Sequence, residues 1–383
     1  MTPVMTAAQA ARRWLRGQRL DGCGPAAAAG IPDLLRDVGG LQAQVGEAAA
    51  LGVRACSSGL VAADLDRLRG QERSVVRTWA WRGTLHLIAA EDLRWMLALV
   101  APVALPRTAR RHAQLGLEQR TLETGSHVIT DALAADGPLT RAELVARLQT
   151  AGIDASGQRA PHLLWWTAMH GTICCGPDRG RDATYELIED WLPPSRPVDR
   201  VAALSLLAGR FLAAYGPAAP QDLAAWSGLP LGDARKAWSQ LGNDMAGRLT
   251  EVRVGKAPAW LLAGQLADPT DPPADQEQPV VTLLPAFDTY LLGHRSRELI
   301  VPAQHARTVH PGGGIINPVL LVDGRAAGTW RSRRRGRRAL EISVRLFADA
   351  TSVQRAGVER EVTDIARFLD APAHDLILES PEA

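Results

Sequence analysis

Two stretches of this chain read as copies of one another, and this duplication constrains the fold more than any other feature. Gly137-Pro138-Leu139-Thr140-Arg141-Ala142-Glu143-Leu144 and Gly216-Pro217-Ala218-Ala219-Pro220-Gln221-Asp222-Leu223 share the pattern Gly-Pro-x-x-x-x-acid-Leu. Each opens a helix. In the first copy Thr140 and Glu143 have the spacing of a capping box, in which each side chain satisfies a backbone N–H of the first turn. In the second, Pro220 falls at the first helical position, where its missing N–H costs nothing. A further helix follows each copy, over residues 159–170 and 231–241, and then a strand pair near residues 174–188 and 249–262. Two helices and a hairpin make the winged-helix pattern.

The N-terminal region carries a variant of the same plan. Residues 5–19 form an amphipathic helix, with Ala8, Ala11, Trp14 and Leu15 on one side and Arg12, Arg13 and Arg16 on another. Residues 31–38 form a shorter helix, ended by Gly39-Gly40, and residues 45–53 and 61–70 form two more. Residues 77–89 alternate aromatic, charged and aliphatic side chains as a hairpin would, and residues 91–100 return to helix. Three tandem winged-helix units are therefore expected, over residues 1–120, 121–195 and 196–267. Residues 268–279, rich in Asp, Pro and Gln, read as a linker. Beyond it, residues 280–383 are a domain of short β-rich runs (280–284, 319–322, 326–330 and 339–347) closed by a helix over 353–369.

The net charge of +2 hides a segregation. Residues 291–338 hold ten arginines against Glu298 and Asp323, whereas the remainder after Ala339 has nine acids against four arginines. One strongly basic face suits a nucleic acid. The four cysteines, Cys23, Cys56, Cys174 and Cys175, have spacings that fit neither a disulfide framework nor a zinc site, so they are expected to pack as small hydrophobes, with no metal and no cofactor. No run of eighteen apolar residues exists, and the first thirty residues lack the clean apolar stretch of a signal peptide. A cytoplasmic monomer with no membrane partner is expected.

Leu41-Gln42-Ala43-Gln44 and Arg77-Thr78-Trp79-Ala80-Trp81-Arg82-Gly83-Thr84-Leu85-His86-Leu87 stand out within the first unit. Together they resemble the winged-helix DNA glycosylases of the AlkZ and YcaQ type, which carry a catalytic Gln-x-Gln or Gln-x-Asp motif and, just downstream, Arg-x-x-x-x-Arg-Gly-Thr-Leu-His. Gln44 at the second position matches the subgroup associated with resistance to DNA-crosslinking antibiotics. Residues 283–293 and 322–330 are similar to that family's C-terminal β-barrel, so the resemblance covers essentially the whole chain. It implies an α+β fold of three tandem winged-helix domains and a small C-terminal β-barrel, arranged around a concave DNA-binding cleft.

The resemblance also implies a reaction. Glutamine is a poor acid and a poor base, so Gln42 and Gln44 can act only by positioning water and by lending amide dipoles to developing charge. That suffices for N7-alkylguanine, which already carries a positive charge and leaves readily. The expected activity is hydrolysis of its glycosidic bond in double-stranded DNA, including unhooking of interstrand crosslinks. Glu47 is the nearest carboxylate that could substitute as base or charge stabiliser, and is read first as a solvated side chain. Arg82 and His86 either line the cleft or belong to the core; Trp79 is read as core, and Trp165-Trp166 as scaffold.

Two basic loops are expected on DNA. One carries Arg331, Arg333, Arg334, Arg335, Arg337 and Arg338 around Gly336, and the other His294, Arg295 and Arg297. Lys236 and Lys256 are the only lysines among 43 basic residues, which leaves few amines to attack the sugar and favours a monofunctional enzyme. The alternative is a DNA-binding protein without catalysis, a regulator or a factor that sequesters drug-modified DNA. A protein hydrolase has no support, since neither Gly-x-Ser-x-Gly nor His-Glu-x-x-His occurs.

Overall fold

The computed structural model describes residues 2–194, 198–244, 249–266, 278–335 and 339–379. Most of the expected linker, and Arg337 and Arg338, lie outside the described residues.

Local signals set the helices. Ile31, Leu34, Leu35 and Val38 are the buried positions of the helix Ile31–Val38, and Gly39 in the left-handed region (φ 75°) ends it. Thr140 and Glu143 form the capping box of Arg141–Thr150. The helix Pro220–Ser227 begins at the proline and ends at left-handed Gly228. The helix pairs are completed by Arg159–Met169 and Leu231–Asp244, and the hairpins by Ile173–Cys175 with Thr184–Leu187 and by Leu249–Val254 with Ala257–Leu262.

The hairpins of the first two units do not stand apart. They join into one six-stranded sheet in the order Leu41–Gln42, Leu85–Ala89, Val75–Trp79, Ile173–Cys175, Thr184–Leu187, Leu139–Thr140, with the junction at Arg77 opposite Cys175. The third hairpin takes the N-terminal strand Val4–Met5 as a parallel partner, which ties the start of the chain to its middle. The helix Arg200–Tyr215, apolar over most of its circumference, is buried against the helices Ala7–Gly17, Ile31–Val38 and Leu231–Asp244.

The C-terminal region is a five-stranded sheet in the order Val281–Leu284, Val319–Val322, Arg325–Arg335, Ala339–Leu346, Ala373–Glu379. The expected barrel does not close. After Ala339–Leu346 the chain crosses through the helix Ser352–Phe368 and returns parallel, which places Ala373–Glu379 at the edge opposite Val281–Leu284. The helix packs on the Val281–Leu284 side of the open sheet. One core runs from Leu34, Leu35 and Leu41 to Leu283, Leu284 and Val319, so the segment bearing the two glutamines is seated on the C-terminal sheet. Arg54, buried at the end of the helix Gly46–Ala55, strengthens that seat by donating to Glu361, Asp364 and the carbonyl of Leu283.

Candidate active site and DNA-binding surface

A tight turn delivers the Gln-Ala-Gln segment to the hairpin. Gly40 (φ 92°) runs so close to Leu85–Ala89 that a Cβ there would lie 2.8 Å from Ile88 and 3.0 Å from the carbonyl oxygen of Leu87. Leu41 then pairs with Leu87 and Gln42 with His86, and the N–H of Ala43 donates to Leu85 O at 2.6 Å. Pairing is completed by a side chain: the N–H of Leu85 donates to Oε1 of Gln44 at 3.0 Å, where another backbone carbonyl would have continued the ladder. Strand alternation buries Leu41 and Ala43, leaving Gln42 half-buried and Gln44 exposed.

Arg82 secures the other glutamine. With Gly83 it forms a left-handed turn between the strands (φ 57° and 71°), and its Nη2 donates to Oε1 of Gln42 at 2.9 Å while Nη1 donates to the carbonyl of Trp226. Burial pulls its pKa down to about 10, with the nearby Arg297 acting the same way, so it remains a cation at neutral pH. A guanidinium and a backbone N–H can only donate, so their partners on Gln42 and Gln44 must be the amide oxygens. Reversing the Gln42 amide would forfeit a charge-assisted bond, about 1.5–3 kcal/mol.

Gln44 opens onto a cleft of about 1000 Å³. Trp79, Trp165 and Tyr185 form its apolar walls, and Arg77, Arg82, Arg107, Arg141 and Arg181 line it against a single acid among the described residues, Asp182. Trp79 is thus part wall and part core; its ring lies nearly parallel to Tyr185, with centroids 6.4 Å apart. Trp165 also belongs to the cleft, and its Nε1 donates to the carbonyl of Gly83 at 3.1 Å, bracing the Arg82 turn. The second unit therefore does more than act as scaffold. Arg107, Arg141 and Arg181 were not among the expected site residues, because only the shared sheet and the helix Leu93–Arg107 bring them beside Gln44.

His86 does not line the cleft. It is buried on the inner side of the strand, its Nδ1 is 2.9 Å from Thr84 O, and burial together with the charge of Arg82 lowers its pKa to about 3. Glu47 is exposed in the first turn of Gly46–Ala55. His294 is likewise interior. Gly293 packs on the ring of Tyr215, which carries His294 inward to meet the Tyr215 carbonyl at 3.0 Å and the ring of Trp14 at 4.1 Å. Its imidazole is therefore withheld from DNA. Arg297 is half-buried and donates to Leu291 O, and Arg295 alone of that loop is a fully exposed basic side chain.

The arginine run lies within the C-terminal sheet, beyond the end of its pairing with Val319–Val322. Arg331, Arg333, Arg334 and Arg335 are exposed along the paired strands Arg325–Arg335 and Ala339–Leu346. Arg331 is paired with Glu379 and Arg335 with Glu341; Arg333 and Arg334 have no ion-pair partner among the described residues. Among the described residues no cluster of three or more His, Cys, Asp or Glu side chains is placed to hold a metal, and no helix is long and apolar enough to cross a membrane.

Winged-helix elements and an arginine-lined cleft with Gln44 at its edge are the features of a DNA-binding protein. The family model described as "DNA glycosylase AlkZ-like" matches residues 35–368. The interstrand DNA cross-link repair glycosylase of Streptomyces sahachiroi is 30% identical over 352 residues, spanning 88% of this chain and 90% of that protein. The solved structure of Streptomyces sahachiroi DNA glycosylase AlkZ matches with a TM-score of 0.78 at 26% identity, covering 98% of this chain and 99% of the other. The chain belongs to the AlkZ-like family and is a DNA glycosylase. A regulator or sequestering protein without catalysis is thereby set aside.

Proposed function

We propose that this glycosylase hydrolyses the bond between deoxyribose C1′ and N9 of N7-alkylated guanine, in monoadducts and in interstrand crosslinks, with Gln42 and Gln44 acting at that bond. The carrying observation is the chemistry of the site: two locked amides, Gln44 in a cleft and Gln42 against its Arg82, where the only lining carboxylate among the described residues, Asp182, is exposed. Such a site supplies no general acid, and a purine made cationic at N7 needs none. The cleft is open, which suits a guanine that is still tied to the opposite strand and cannot rotate into a deep pocket. The Gln-Ala-Gln form and the cross-link repair activity named for the Streptomyces relative support the same reading.

Water is the nucleophile. Lys236 and Lys256 are both exposed, on the helix Leu231–Asp244 and in the turn before Ala257–Leu262, and neither lines the cleft. Duplex phosphates are held by Arg333 and Arg334 of the hairpin and by Arg141 and Arg181 of the cleft. The test is incubation with a duplex containing one N7-methylguanine. Free base and an intact abasic site are expected, with no covalent species after borohydride; an untouched lesion, or a protein adduct trapped through a lysine, would contradict the proposal.

A further inference from the structure

Both glutamines have the same end of the amide committed, Gln44 in the lining of the cleft and Gln42 against Arg82, which also lines it. The Gln44 oxygen is occupied by a backbone N–H that cannot be withdrawn without unpairing the hairpin, and the Gln42 oxygen by a guanidinium itself fixed on the carbonyl of Trp226. Each oxygen has one of its two lone pairs committed, so the groups wholly free to meet a ligand are the two Nε2–H2 donors. Donors are the wrong polarity for a sugar that is becoming a cation, and a water whose oxygen accepts from both of them has neither lone pair left for attack.

We infer that Gln42 and Gln44 donate hydrogen bonds to the departing base, at the purine N3 acceptor exposed in the minor groove, and that Arg82 and the Leu85 N–H are the positioning groups that orient them. This rests on the proposal that the two amides act at the glycosidic bond. As C1′–N9 breaks, its electron pair passes to the purine, cancels the N7 charge and enriches the ring nitrogens. A donor at N3 therefore binds more tightly in the transition state than in the ground state, which is the condition for catalysis. The base leaves neutral; water adds its oxygen to C1′ and loses one proton to solvent.

The experiment compares duplexes carrying N7-methylguanine or N7-methyl-3-deazaguanine, in which a C–H replaces N3, each rate divided by its spontaneous rate. The parent is expected to discriminate against the deaza substrate by roughly a hundredfold, the loss typical of one transition-state donor. Gln42→Ala and Gln44→Ala should each be slow and discriminate less, and the double variant should treat both substrates alike. Arg82→Met should lower kcat with little change in KM and shrink the discrimination, whereas a residue of merely structural importance would slow both substrates equally. Gln44→Glu keeps an acceptor for the Leu85 N–H but offers no donor, and should behave as Gln44→Ala. If the alanine variants are inactive while the parent releases both bases at equal normalised rates, this inference falls and the catalytic assignment stands. If the alanine variants release N7-methylguanine as fast as the parent, both fall.

Discussion

Arg77 donates its Nε–H to the carbonyl oxygen of Ala43 at 3.0 Å, reaching across the intervening strand Leu85–Ala89 to the residue between the two glutamines. The N–H of Ala43 donates to Leu85 O, so both backbone polar groups of the residue that spaces Gln42 from Gln44 are engaged. The same Arg77 lies at the register position where the sheets of the first two units meet. Replacing it by Met removes a bond worth about 1.5–3 kcal/mol. We expect kcat to fall by roughly tenfold or more with KM nearly unchanged; a parallel rise in KM would instead make Arg77 a DNA-binding residue.

Neutralising the hairpin should flatten the salt dependence of binding. Each phosphate contact contributes about 0.9 to the slope of log K against log salt. Because Arg333 and Arg334 have no ion-pair partner among the described residues, while Arg335 is shared with Glu341, Arg333→Gln with Arg334→Gln should account for most of the flattening that neutralising all of Arg333, Arg334 and Arg335 would produce. An unchanged slope in a filter or anisotropy titration would mean that the run is only solvated surface.

Arg54 links the helix following Gln44 to the C-terminal helix, through Glu361 at 3.0 Å and Asp364 at 3.3 Å. Removing a buried partner strands the others, at a typical cost of about 3–5 kcal/mol. Arg54→Ala should lower stability by that order in urea unfolding, and a loss below about 1 kcal/mol would show that the shared core alone holds the two regions together.

Asp288 is buried beside the same helix. Its Oδ1 accepts from the N–H of Tyr290 at 2.9 Å, and its Oδ2 is buried with no partner among the described residues. Burial raises its pKa from 3.8 to about 6. The folded state therefore binds the proton more tightly than the unfolded chain, and stability is lost as the pH rises from about 4 through 6, by about 3 kcal/mol in total. Asp288→Asn keeps the acceptor for Tyr290 and should stabilise the protein at pH 7.5 but not at pH 4. His86 pulls in the opposite direction below pH 6.5 and is common to both proteins, so it cancels in the difference. Equal differences at the two pH values would contradict the assignment.

What the sequence made legible was local. Ile31–Val38 could be ended at Gly39-Gly40, and the Thr140–Glu143 cap read from a four-residue pattern, because the physics that ends or starts a helix lies within one turn. Gln42 and Gln44 were singled out through resemblance; Gln44 lines the cleft, and Gln42 lies against Arg82, which lines it. Three features depended on pairing across long separations and were missed: the junction of Arg77 with Cys175, the parallel strand Ala373–Glu379 that leaves the sheet open, and the arrival of Arg141 and Arg181 beside Gln44. His294 misled for a related reason. A histidine after a Leu-Leu-Gly break reads as a surface loop until Trp14 and Tyr215, distant in sequence, are seen to cover it.

The central claim is that Gln42 and Gln44 perform the chemistry while other residues hold the DNA. The most direct measurement is single-turnover release of N7-methylguanine by the double variant Gln42→Ala, Gln44→Ala, alongside its affinity for the same duplex. The account expects release to fall to the spontaneous rate with Kd within about threefold of the parent, a difference below about 1 kcal/mol. Retained release, or affinity lost in step with activity, would contradict it.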